Sequence, residues 1–303
     1  MSFSFNKNVP LFSASQISSI IGLNPFETRS SSICKYWRRI KPDLYNEAVS
    51  RNEMRPPPTM DEIKAVIAQE TVAQRLIDTA IADESYVQRK EAVFTVTEAV
   101  ADKVAEKFGD TIDTRELQKS IQSIINTDRG TRDEVQVINS YESREKKVVK
   151  GRNDKFYKKY ITYTNAEGNS SKFAIGGRVD GITEDNVLLE VKNRQRRVLG
   201  YVPINELIQI STYLYLTNLD KCQLVECHGG ETVKHSIEYD AAFMDQVIAR
   251  LTEMTMILDY LNSDLDAQDA LVRDDILICP PWLIREGGFT AHELSDEDDT
   301  KSE

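Results

Sequence analysis

Three residues past the middle of the chain, Asp180, Glu190 and Lys192, have the types and spacing to handle a hard cation or a shared proton. The runs 172–183 and 187–192 are rich in β-branched residues, and Glu184-Asp185-Asn186 between them has turn composition. If those three residues form the loop of a hairpin, Thr183 pairs with Val187, and each further pair keeps position numbers summing to 370. Asp180 then faces Glu190, and Arg178 faces Lys192. Directly opposed residues hold their Cβ atoms about 4.5–5.5 Å apart on one face. Two carboxylates so placed repel unless a cation lies between them or they share a proton. Lys192 shares the face of Glu190, while Leu189 and Val191 point to the opposite face, into a core. Gly176, Gly177 and Gly181 leave room for a second backbone to come close. Asp, Glu and Lys alone are better described as the charged outer face of a solvated hairpin, so the flanking segments matter.

Upstream, Glu134 lies at i−3, i−4 and i−7 from Val137, Ile138 and Tyr141. Its carboxylate therefore shares the apolar stripe of a helix, where it needs a partner, and a metal site would supply one. Downstream, Gln209 and Tyr213 stand four apart on one helical face.

The elements that must position these residues follow from periodicity and turn composition. The first half reads as helical: a short Ser-capped helix at 13–21, then helices at about 30–40, 61–82, 97–107 and 114–126. A loop at 51–59 carries three consecutive prolines. The second half mixes strands and helices around one sheet: the hairpin above, a helix at 203–217, a second hairpin (221–227 and 231–239) and a long amphipathic helix at 241–261. The expected class is α/β (α+β), a mixed central sheet flanked by helices. The expected organisation is a helical region at 1–129 packing on a core at 130–285, followed by an acidic tail at 286–303. Residues 293–303 hold six acids against one lysine, which predicts a disordered tail.

Across 303 residues, 38 Lys plus Arg against 49 Asp plus Glu leave a net charge of −11. Such a chain has no evenly basic coat for nucleic acid. Its positive charge is local. Residues 144–160 carry eight Lys or Arg and two acids, interleaved with Phe156, Tyr157 and Tyr160, and residues 192–197 carry four more. Lys and Arg neutralise phosphates, and exposed aromatic rings stack on unpaired bases. No apolar run reaches the ~18 residues that span a bilayer, and the N-terminus lacks a secretory pattern, so the expectation is an intracellular, soluble protein without a membrane partner. Four cysteines (Cys34, Cys222, Cys227, Cys279) are too few for a disulfide framework.

The order Gly130-xxx-Glu134, Gly-Gly-Arg-Val-Asp180, Glu190-Val-Lys192 and Gln209-xxx-Tyr213 resembles the PD-(D/E)XK nucleases of the RecB-like branch. Within that branch it is similar to the YqaJ or lambda-exonuclease-type group of viral recombination nucleases. The segment 11–26, Leu-Phe-Ser-Ala-Ser-Gln-Ile-Ser-Ser-Ile-Ile-Gly-Leu-Asn-Pro-Phe, resembles the helix that opens those proteins. The resemblance covers about 11–26 and 130–217 and implies a restriction-endonuclease-like core. It also implies an Mg²⁺ (or Mn²⁺) site of one or two ions held by Asp180, Glu190, the Val191 carbonyl and Glu134. Lys192 would hold or deprotonate the attacking water, Gln209 would touch a phosphate, and Tyr213 would pack beneath it. Arg178, Arg194, Arg196 and Arg197 would contact the DNA backbone, and Ser15 and Gln16 the 5′ end, where a capped helix N-terminus suits phosphate.

The implied activity is a Mg²⁺-dependent deoxyribonuclease, a 5′-to-3′ exonuclease on duplex ends in recombination, replication or repair. DNA would be its partner, with a single-strand annealing protein and further copies of the chain as others. A structure-selective endonuclease or resolvase is the alternative within the class, and a non-catalytic DNA-binding or protein-interaction module the alternative outside it. An iron–sulfur cluster is not expected from the cysteine spacing, nor a metal site from His228, His235 and His292.

Overall fold

Helix caps and turn residues divide the chain much as its periodicity suggests. The computed structural model describes residues 9–82, 86–164, 170–194 and 197–280. The expected acidic tail, Trp282, His292 and Arg196 lie outside those residues. Strand β1 (Leu11–Ser13) leads through a 3-10 turn (Ala14–Gln16) into the single-turn helix α1 (Ile17–Ile20). Six helices follow: α2 (Arg29–Ile40), α3 (Pro42–Arg51), α4 (Met60–Gln69), α5 (Thr71–Ala82), α6 (Tyr86–Phe108) and α7 (Thr114–Glu145). The second half contains β2 (Val149–Lys150), β3 (Phe156–Thr164), β4 (Ser170–Arg178), β5 (Gly181–Thr183) and β6 (Leu188–Asn193). It continues with α8 (Ile204–Thr217), β7 (Lys221–His228), β8 (Glu231–Glu238), α9 (Ala241–Ser263) and α10 (Leu265–Asp274).

Local chemistry sets these boundaries. Thr28 caps α2 by accepting from the Ser31 N–H, Thr59 and Glu62 form a reciprocal capping box on α4, and Asp113 caps α7. The helix expected at 61–82 is two helices, because Glu70 leaves helical geometry at φ −96°, ψ 94°. The helix expected at 114–126 instead runs on through Gly130 to Glu145 and ends on Lys146 in the left-handed region. Gly130 costs that helix about 1 kcal/mol relative to Ala; buried Ile138 and Tyr141 in the following two turns offset it. The helix expected at 13–21 is reduced to one turn, and neither Ser13 nor Gln16 makes a side-chain cap bond.

Mixed sheets flanked by helices, with a helical N-terminal region, form the expected fold class. Among the described residues, however, the strands build two sheets where one was expected. The three-stranded sheet has the order β1-β4-β3, and the five-stranded sheet β2-β5-β6-β7-β8. The β-branched run 172–183, read as one strand, is β4 and β5 in different sheets, and the chain crosses between them at Val179 and Asp180. One core lies between α1, α2, α3, α8, α9 and the sheets, with Trp37, Phe12 and Phe173 fully buried. A second, formed by Ile63, Ile67, Ile77, Val104, Ile121 and Ile125, joins α4 through α7. Ile138 and Tyr141 of α7 pack on Leu189, Val191 and Val225, so α7 covers one face of the five-stranded sheet. Among the described residues no helix is long and apolar enough to cross a membrane.

Candidate active site

Strand β6 runs parallel to β7 and antiparallel to β5, with Gly181 opposite Leu189 and Ile182 opposite Leu188. These pairs sum to 370, as the turn composition requires, and the Thr183 N–H donates to the Val187 carbonyl at 2.9 Å. The next hydrogen-bonded rung would join Val179 to Val191. It is replaced: the Val191 N–H donates to Asp180 Oδ2 at 2.8 Å, while the Val179 carbonyl accepts from the Asn153 N–H. In an extended strand a residue's N–H and C=O point to the same edge, so the Val191 carbonyl lies on the strand edge beside Asp180.

Strand alternation puts Glu190 and Lys192 together, facing α8. Lys192 Nζ donates to Glu190 Oε1 at 2.8 Å and to Gln209 Oε1 at 3.1 Å. Gln209 Nε2 in turn donates to Tyr213 Oη at 3.2 Å. Glu190 is 1% exposed, and its second oxygen, Oε2, is buried without a hydrogen-bond partner. Glu134 is half-buried on α7, where its Oε1 accepts from Asn153 Nδ2 at 2.5 Å. The site expected at Asp180, Glu190, Lys192, Gln209 and Tyr213 is therefore one continuous cluster, and Glu134 is coupled to it by charge. Gly177 is the floor: a Cβ there would lie 2.7 Å from the Tyr213 ring and 3.2 Å from Ala14. Side chains, not a second backbone, fill the space at Gly177.

The ionisation of the cluster reflects crowding. Burial, then the charges of Glu190 and Glu134, push Asp180 well above the ordinary carboxylate range, and burial and Glu190 raise Glu134. Burial pulls Lys192 down, but Glu190, Glu206 and Asp180 outweigh it and hold the ammonium above its usual range. Tyr213 is raised by burial and by Glu190. No three His, Cys, Asp or Glu side chains among the described residues are already arranged to hold a metal ion. The donor set nonetheless suits a hard cation. One oxygen each of Asp180, Glu190 and Glu134 is used by an N–H, an ammonium or an amide. The second oxygens lie outside those bonds, and that of Glu190 is orphaned in the interior.

Several expected contacts fall elsewhere. Arg178 does not face Lys192; it is exposed and pairs with Phe156 across β3 and β4, because the chain changes sheets after it. Arg194 is not presented to solvent. Its Nη1 and Nη2 bond Glu206 Oε1 and Oε2 at 2.5 and 2.8 Å, and it also pairs with Glu226, which is 0% exposed. Glu226 further bonds His235 Nε2 at 3.1 Å and the Leu199 N–H at 3.2 Å. Ser15 and Gln16 are exposed on the 3-10 turn, with Ser15 Oγ 3.2 Å from Ser13 Oγ, and Arg197 is exposed. Sequence reasoning missed Asn153, Glu206 and Glu226. Only Asn153 carried a signal, as a turn residue in Gly151-Arg-Asn-Asp154 able to adopt its positive φ of 51°.

No protein-family profile matches this sequence, and no curated protein matches it. Solved structures do. The crystal structure of SSO0001 is similar at 15% identity over 62% of this chain and 85% of that one, with a TM-score of 0.35. An alkaline exonuclease, LHK-Exo, from Laribacter hongkongensis is similar at 17% identity over 62% and 89%, with a TM-score of 0.35. The same LHK-Exo in complex with dAMP gives 18% identity over 53% and 89%, with a TM-score of 0.33.

Proposed function

We propose that the chain is a metal-dependent deoxyribonuclease of the PD-(D/E)XK type, acting as an exonuclease on duplex ends. The observation that carries this reading is the part-buried Asp180–Glu190–Lys192–Gln209 cluster around the buried Glu190, one of whose carboxylate oxygens is orphaned. Stability alone gives no reason to keep Asp180 beside Glu190 and Glu134, whose charges push its pKa up. A hydrolytic site does, because phosphodiester cleavage needs an activated water and compensation of the charge that develops on the phosphoryl oxygens.

Asp180, Glu190, Glu134 and the Val191 carbonyl would hold one or two Mg²⁺ or Mn²⁺ ions. A bound ion of this kind supplies Lewis acidity and lowers the pKa of water. Lys192, anchored between Glu190 and Gln209, brings a fixed positive charge to where the phosphoryl oxygens become more negative. Gln209 orients Lys192 and offers its amide to a phosphate, and Tyr213 braces Gln209 from below. Asn153 holds Glu134 toward the cluster. A role at viral or phage-type recombination ends, with an annealing protein or further copies of the chain as partners, accords with the sequence resemblance.

The test is incubation of the purified chain with linear and circular duplex DNA, 5′-phosphorylated or not, in Mg²⁺ or EDTA, beside Lys192→Ala. Metal-dependent loss of linear but not circular DNA, abolished by Lys192→Ala, is the expected result. Nicking of circles would make the chain an endonuclease, and DNA binding without cleavage in Mg²⁺ or Mn²⁺ would overturn the enzyme reading.

A further inference from the structure

Strand β3 forms one edge of the three-stranded sheet, and its residues divide cleanly by face. Tyr157, Ile161 and Tyr163 pack toward the main core, and Lys159 donates to the Tyr215 carbonyl on α8 at 2.6 Å. Phe156, Lys158, Tyr160 and Thr162 point the other way. Opposite them on β4, and therefore on the same outer face, stand Arg178, Gly176, Ala174 and Lys172. This face has two large exposed rings, Phe156 at 43% and Tyr160 at 57%. Phe156 lies over Gly176, where a Cβ would come within 2.7 Å of the ring, so the missing side chain leaves room for the ring against the sheet. Lys158 Nζ sits 4.6 Å from the centre of the Tyr160 ring. Neither 155–164 nor 172–178 contains an acid, in a chain whose net charge is −11.

We infer that this face of β3 and β4 is a stacking platform for an unpaired DNA strand running from the candidate active site. Continuity fixes one end: Arg178 and Phe156 form the last pair of the ladder, two residues before Asp180. From there to Lys172 the strand extends about 20 Å at ~3.3 Å per residue, enough for several nucleotides. Charge complementarity and exposed rings select the occupant. A duplex offers this face only its phosphates, because its bases are already stacked within the helix. An unpaired strand offers phosphates to Lys158, Lys172 and Arg178 and base faces to Phe156 and Tyr160. The route of the strand to the cluster rests on the hydrolase reading, but binding on the platform needs no cleavage.

The experiment measures fluorescence anisotropy of the full chain with a labelled mixed-sequence 20-nucleotide strand and, separately, a blunt duplex of the same length, both in EDTA. Tyr160→Ala and Phe156→Leu should each weaken single-strand binding by about five- to a hundredfold while changing duplex binding little. Tyr160→Phe should bind as the parent does. Lys172→Ala and Arg178→Ala should lower the salt dependence of binding, each by about one phosphate contact. Thermal midpoints within a few degrees of the parent identify variants that fold. Equal losses on strand and duplex, or unchanged single-strand affinity in both ring variants, would overturn the platform. A chain that binds the strand this way yet cleaves nothing in Mg²⁺ refutes the hydrolase and leaves the platform standing. A chain that cleaves but ignores Tyr160→Ala and Phe156→Leu does the reverse.

Discussion

Glu206→Gln isolates the clasp that sets α8 against β6. In the native chain the Arg194 fork meets Glu206 through two bonds of 2.5 and 2.8 Å, with side-chain exposures of 15% and 9%. Glutamine keeps one acceptor oxygen but turns an NH₂ group toward the guanidinium, so one charge-assisted bond is lost and the other becomes ion–dipole. Hydrogen bonds to charged groups contribute about 1.5–3 kcal/mol, and breaking a buried pair outright costs about 3–5 kcal/mol. Arg194 retains Glu226, so the lower range applies, ~1.5–3 kcal/mol. With a urea slope of about 3 kcal/mol/M, the unfolding midpoint should fall by roughly 0.5–1 M. Gln209 follows Glu206 by three residues on the same helix and meets Lys192 at 3.1 Å, so DNA cleavage in Mg²⁺ should fall as well. The assay is a double-mutant cycle with Arg194→Met, read by urea unfolding in EDTA. A coupling energy near zero, or an unchanged midpoint for Glu206→Gln, would refute the reasoning.

Gly177→Ala should cost about 1–3 kcal/mol through overpacking, because its Cβ would stand 2.7 Å from the Tyr213 ring. Calorimetry checks it, and a thermal midpoint equal to the parent's would show that Tyr213 moves freely. Burial pushes Glu253 up, but bonds and charges from Arg29 and Arg250 outweigh it and hold its pKa below the ordinary range. A depressed folded pKa gives stability that is present above the unfolded value, about 4.3, and is lost as pH falls toward the folded one. Glu253→Gln should therefore flatten the acid limb of stability below about pH 4.5, and an unaltered limb in acid titrations would contradict the assignment. Burial, with the Asp275 charge, raises Cys34 to about 11, and burial with Glu190 and Asp180 raises Cys222 well above the usual thiol range. Both should resist a thiol reagent at pH 8 until the chain is denatured; rapid native labelling of either, located by mass spectrometry, would be the contrary result.

The hairpin around Glu184-Asp185-Asn186 was legible because turn chemistry fixes register, and register fixes which side chains share a face. The same reading misplaced Arg178. A run of β-branched residues carries no mark where one sheet ends and another begins, and here the change falls inside Gly-Arg-Val-Asp. Strand β3 escaped notice because its lysines and tyrosines resemble a solvated loop until β4 is seen beside it. Arg194 followed strand β6 and was basic, which suggested DNA. Its partners lie 12 and 32 residues away on α8 and β7, and no local pattern announces such a pairing. Gly130 looked like a boundary but sits within α7, whose continuity depends on packing against both the helical core and the five-stranded sheet.

Asp180 carries two obligations at once. Its carboxylate closes the seam where the chain leaves one sheet for the other, and it also points at the would-be chemistry. Loss of activity on replacing Asp180 by alanine would thus be ambiguous, since the variant both empties a ligand position and unfastens the Val191 N–H. Asparagine keeps an oxygen for that N–H while removing the charge, and so separates the two. For an evolving chain the same coupling makes this position slow to drift whether or not the proposed chemistry is under selection. Were the proposed reaction lost, an aspartate here would persist for the sake of the seam, and Lys192, whose side chain holds no strand together, would be the first to change.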